Sequence, residues 1–126
     1  MSDSIGRLHD AVIIARDADP STSRTARLLR AGRSKVAKKL GEEAVEVVID
    51  AVHGSRDNLV RESADLLYNL VVLWVSAGVT PKEVWKEMER RERLMGIAEK
   101  LPKDLPDADP RRKIVALESR RARKRR

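Results

Sequence analysis

The stretch KKLGEEAVEVVIDA, Lys38 to Ala51, sets three acids, Glu42, Glu43 and Glu46, beside an apolar run. Its reading decides the fold. As a helix, successive residues turn by about 100°, so Glu46 falls between Glu42 and Glu43 and all three share an arc of roughly 100°. Asp50 lies one turn further along the same side. Like charges at i,i+4 cost about 0.2–0.5 kcal/mol even on a wet helix. Lys38 and Lys39 offset part of this from the preceding turn. A helix that only buried a face would gain nothing from such crowding, so the acids point to a ligand.

The stretch RESADLLYNLVVLW, Arg61 to Trp74, repeats the feature. Glu62 and Asp65 are three apart and Asn69 lies four further on, which puts them on one stripe. The remaining residues, Leu66 to Trp74, are apolar nearly all round, so this helix is buried on several sides. Asn69 is therefore enclosed and needs partners. The connection from His53 to Asp57 is short and folds the two helices antiparallel, so that Glu43 and Glu46 face Glu62 and Asp65.

Other boundaries follow from local chemistry. A first helix carries Ile5, Leu8, Val12 and Ala15 and ends before Pro20. A short second helix spans Ser23 to Arg30, with Gly32 behind it and Ser34 as the N-cap of a third helix from Lys35 to Val52. Ser55 or Asp57 caps a fourth helix, Asn58 to Ala77, which Gly78 ends. Thr80, Pro81 and Glu83 form a capping-box start for a fifth helix reaching Glu99. LPKDLPDADP reads as a linker, and a further charged helix is expected beyond Pro110. No strand pattern occurs, so the fold class is all-α.

Composition bounds the function. The 126 residues suit one domain, expected over 1–102, followed by a basic tail over 103–126. A chain of this size buries little surplus core, which favours self-association. The absence of cysteine excludes disulfides, thiolate zinc sites and cysteine nucleophiles. No apolar run is long enough to span a bilayer, and MSDSIGRLHD has no signal-peptide core, so the expected location is cytoplasmic. The net charge of +7 is concentrated in the tail, whose surplus is six against one for the rest. A protein-wide nucleic-acid surface is thus absent, and only the tail remains as an electrostatic arm.

Oxygen-only ligands without Cys or a nearby His select a hard ion such as Mg²⁺ or Mn²⁺. Mg²⁺ is commonly completed by substrate phosphates. Arg33, Lys35, Lys38 and Lys39 supply cations just upstream of the acids.

Glu43-x-x-Glu46, fifteen intervening residues, then Glu62-x-x-Asp65 resembles the signature of the MazG-like all-α nucleotide pyrophosphohydrolases. The elements TARLL, KKLGEEAVE and ADLLY, in that order, resemble the phosphoribosyl-ATP pyrophosphohydrolase family over about residues 5 to 100. The resemblance implies a helical bundle assembled as a dimer or dimer of dimers. It also implies Mg²⁺-dependent hydrolysis of phosphoribosyl-ATP to phosphoribosyl-AMP and pyrophosphate, in histidine biosynthesis. On that basis Glu43, Glu46, Glu62 and Asp65 would hold the metal, and Glu42 or Glu43 would accept the water's proton. Arg33, Lys35, Lys38, Lys39 and Asn69 would bind substrate. Two positions depart from the family habit, which has Tyr at Arg24 and His at Asn69. The alternatives are a house-cleaning nucleoside triphosphate pyrophosphohydrolase and a non-catalytic helical scaffold with a nucleic-acid-binding tail. The burial argument expects Val71, Val72, Val75, Trp74 and Trp85 to seek cover from a second subunit.

Overall fold

The computed structural model describes the backbone of residues 3–100, and all five elements there are helices. They are α1 (Ser4–Arg16), α2 (Arg24–Arg30), α3 (Arg33–His53), α4 (Arg56–Ala77) and α5 (Pro81–Lys100). The expected linker and final helix lie outside the described residues. The chain divides into two units, Met1–Glu87 and Met88–Arg126, and the described part of the second is the remainder of α5.

Capping chemistry sets the helix ends in the first unit. The Asp3 carboxylate accepts the Ile5 N–H at 3.0 Å, starting α1, and the Trp85 indole N–H at 2.9 Å. Ser23 Oγ accepts the Ala26 N–H at 3.1 Å, starting α2. Between them the Asp19 carboxylate accepts the Ser21 N–H at 2.9 Å, and this bond holds its pKa below the usual value. At α5, Thr80 and Glu83 form the expected box: Thr80 N–H donates to Glu83 Oε1 at 3.2 Å, and Glu83 N–H to Thr80 Oγ1 at 3.4 Å. Gly54 and Gly78 close α3 and α4 at φ of +74°, a left-handed conformation that a Cβ disfavours.

Helices α3 and α4 each start two residues before the expected Lys35 and Asn58. The N-cap of α3 is Gly32, at φ +99°, and not Ser34, which lies inside the first turn. The Gly32 carbonyl accepts the Val36 N–H at 3.1 Å, so the helix begins two residues early. At α4 the N-cap is Ser55, and Asp57 sits in the first turn, where a negative charge complements the helix dipole.

Helices α3 and α4, joined through Gly54 and Ser55, form the most extensive pairing, and α1 and α2 pack on them. The core is built of valines: Val12 from α1, Val36 from α3, and Val71, Val72 and Val75 from α4. Ile5, Leu8, Leu28, Leu29, Tyr68 and Trp74 pack around it. Val71, Val72 and Val75 are thus covered within the chain, contrary to the expectation that a second subunit must cover them. The tryptophans find each other: Trp74 and Trp85 stand edge-to-face, ring centres 6.2 Å apart. Uncovered apolar side chains lie elsewhere, among them Val45, Val48, Ile49 and Val52 of α3 and Val60 and Leu67 of α4, with Val52 78% exposed.

Candidate active site

The packing of α3 on α4 brings the acids together. One carboxylate oxygen from each of Glu43, Glu62 and Asp65 lies within 4.8 Å of the others. Glu46 stands outside this trio but near enough to Glu62 to push its pKa up. Burial grades across the cluster, from Glu43, only 8% exposed, through half-buried Glu62 to exposed Asp65. Lys39 Nζ lies 3.3 Å from Glu43 Oε1, one turn away on α3. Buried Glu43 Oε2 and Glu62 Oε2 have no protein partner.

Crowding shifts a proton equilibrium. The Glu62 carboxyl is pushed up to about 7, first by its hydrogen bond with Glu46, then by burial. The negative charges of Glu46, Asp65 and Glu43 add to the shift. Carboxylates crowded together cannot all ionise cheaply, which favours the protonated form of Glu62. Convergent oxygens, two of them buried and unpartnered, fit a hard divalent ion. The donor set contains no nitrogen or sulfur, which argues for Mg²⁺ or Mn²⁺ over zinc.

A cavity of about 320 Å³ opens beside the acids, lined by α2, the start of α3 and the middle of α4. Lys35 and Lys39 come to it from α3, and Tyr68 and Asn69 from α4. Asn69 is enclosed as expected, at 3% exposure, with its amide N–H donating to the Asp65 carbonyl at 2.8 Å. A smaller adjoining cavity of about 210 Å³ is lined by Lys35, Lys38, Lys39 and Glu42. Glu42 therefore stands with the lysines, outside the carboxylate trio. Arg33 is exposed and lines neither cavity. Arg24 and Arg27 line the larger one, although spacing around the acids gave no reason to include them. They are placed there by a contact 43 residues apart in sequence, the Thr25 and Tyr68 hydroxyls at 2.6 Å.

A model of the family described as phosphoribosyl-ATP pyrophosphohydrolase matches residues 5–92. The chain belongs to that family. It is 65% identical over 133 residues to phosphoribosyl-ATP pyrophosphatase 2 of Bradyrhizobium diazoefficiens, with 99% of each chain covered. It is 61% identical to phosphoribosyl-ATP pyrophosphatase 2 of Rhodopseudomonas palustris, across the whole of both chains. Phosphoribosyl-ATP pyrophosphatase of Gluconobacter oxydans is 57% identical over 94 residues, covering 75% of this chain and 71% of that one. Arg24 and Asn69 both line the larger cavity. No single helix among the described residues is long and apolar enough to cross a membrane.

Proposed function

We propose that this protein hydrolyses phosphoribosyl-ATP to phosphoribosyl-AMP and pyrophosphate, the second step of histidine biosynthesis, in the cytoplasm. The observation that carries the reading is the joining of Glu43, Glu62 and Asp65 within 4.8 Å in a chain of this family. Glu43, Glu46, Glu62 and Asp65 would hold Mg²⁺, with Mn²⁺ a chemical substitute. When bound, the ion supplies Lewis-acid charge to the phosphates at the cleaved linkage.

The chain's own residues do the rest. A water attacks the α-phosphorus, the bond to the α–β bridging oxygen breaks, and pyrophosphate leaves. The water's proton passes to a carboxylate, Glu42 or Glu43. Lys38 and Lys39 offset the charge that builds on the leaving pyrophosphate, and Lys35 binds substrate further along α3. Asn69 hydrogen-bonds substrate from the wall of the larger cavity, and Arg33 adds positive potential at its approach. The domain responsible spans 1–102, and the basic tail, 103–126, takes no part. The bundle, centred on the antiparallel α3–α4 hairpin, works as a homodimer or dimer of dimers. The exposed apolar face on α3 and α4 supports that assembly, because water-exposed valines at this density favour a partner.

The test is substrate preference. Purified protein with Mg²⁺ should release pyrophosphate from phosphoribosyl-ATP at least about 100-fold more efficiently than from any member of a dNTP panel. A preference for dNTPs would instead assign it to nucleotide-pool cleansing.

A further inference from the structure

The larger cavity has an uneven chemistry. Asn69 spends its amide N–H on the Asp65 carbonyl at 2.8 Å, and only an amide nitrogen can donate there. That bond fixes the side chain, which lines the cavity, and leaves its Oδ1 buried and without a partner. A buried acceptor of this kind is satisfied by a donor, which a phosphoryl oxygen is not. The opposite wall is cationic. Arg27 donates to the Pro20 carbonyl at 2.9 Å and Lys39 pairs with Glu43 at 3.3 Å. Arg24 and Lys35 have no anionic partner among the described residues. Helix α3 begins beside them without a side-chain cap, so its positive end is uncompensated. The Thr25–Tyr68 hydroxyl contact ties α2, and Arg24 with it, to α4.

Distance along α3 separates this anion site from the cleavage site. Lys35 is eight residues, about 12 Å, from Glu43. Phosphates held at the carboxylate cluster meet Lys38 and Lys39 first. Free cations two turns away suit a second, separate phosphate on the same molecule. One donor-seeking acceptor and two free cations in one cavity describe a phosphorylated polyol.

Resting on the proposed function, we infer that this cavity receives the phosphorylated pentose of the substrate. Its phosphate lies on Arg24 and Lys35, and a ring hydroxyl donates to Asn69 Oδ1. Arg24 and Asn69 thereby set the specificity for a nucleotide carrying a second phosphate.

Titration of ribose 5-phosphate into the full-length protein in EDTA reads this site without turnover. Wild type should bind it. Arg24→Gln, a change at an exposed position, should weaken binding at least about tenfold. A 2,3-dideoxyribose 5-phosphate should bind wild type at least about tenfold more weakly than ribose 5-phosphate. With phosphoribosyl-ATP and Mg²⁺, Arg24→Gln should raise KM about tenfold and change kcat far less. Equal affinity of wild type and Arg24→Gln for ribose 5-phosphate overturns the inference, as does equal affinity of wild type for the two sugars. Either result leaves phosphoribosyl-ATP turnover standing. Absence of that turnover in wild type defeats the proposed function separately.

Discussion

Glu62 shows how a single residue reports on the site. Its pKa of about 7 against an ordinary 4.5 means that, between those values, the folded protein holds a proton the unfolded chain has lost. Stability from this group is therefore greatest at low pH and falls as pH rises through 7. Glu62→Gln removes the titration. In EDTA, the stability advantage of Glu62→Gln over wild type should grow between pH 5 and pH 8. A pH-independent difference in denaturant midpoints contradicts the crowding. Protons and metal compete for these oxygens, so Mg²⁺ binding should tighten over the same range. Glu46→Gln and Asp65→Asn should each lower Mg²⁺-dependent hydrolysis by at least about 100-fold, more than loss of an outer-shell partner costs. Both should fold, with stability unchanged or raised because a repelling charge is gone. Near wild-type turnover at saturating Mg²⁺ in either variant removes the proposed ligand set. The convergence of Glu43, Glu62 and Asp65 was legible in the sequence because spacings of three on a helix fix a shared face whatever surrounds it. Arg24, Arg27 and Tyr68 were not legible as one cavity wall. Their proximity depends on how α2 seats on α4, through Thr25 and Tyr68, and no local pattern encodes that.

Among the elements, helix ends were readable where a single residue's chemistry decides them. Gly54, Gly78 and the Thr80–Glu83 box fall where their side chains, or lack of one, require. Ser34 misled because serine is a good cap, but the positive φ of Gly32 turns the chain two residues earlier. Helix α4 misled differently. Its apolar circumference correctly signals burial, but not which neighbour provides it, and residues of α1, α2 and α3 cover Val71, Val72 and Val75 from inside the chain. The mild alternation of valine with acid along α3 hid the face left open. Two substitutions separate these roles. Val36→Ala, at a fully buried core position, should cost about 2 kcal/mol of unfolding free energy, from lost transfer and a residual cavity. Gly78→Ala should cost about 1 kcal/mol, because the left-handed cap penalises a Cβ. Urea unfolding at fixed protein concentration measures both. A Val36→Ala protein as stable as wild type means that the valine core is not where the stability resides.

For the molecule as a whole, the open face of Val45, Val48, Ile49, Val52, Val60 and Leu67 predicts association of copies. Stability should then rise with protein concentration. Val48→Glu should shift sedimentation toward a single chain of 14.2 kDa and lower the thermal midpoint. A wild-type species of that mass at low micromolar concentration, with a concentration-independent midpoint, contradicts assembly. Removing residues 104–126 should leave hydrolysis within about threefold of the full chain, since the family match ends at residue 92. The central claim is that facing carboxylates on α3 and α4 carry a metal-dependent cleavage of phosphoribosyl-ATP. It is tested most directly by following pyrophosphate release from phosphoribosyl-ATP, with Mg²⁺ and then with excess EDTA. The account predicts stoichiometric phosphoribosyl-AMP and pyrophosphate with Mg²⁺ and essentially none in EDTA. Equal release under both conditions, or no release under either, contradicts it.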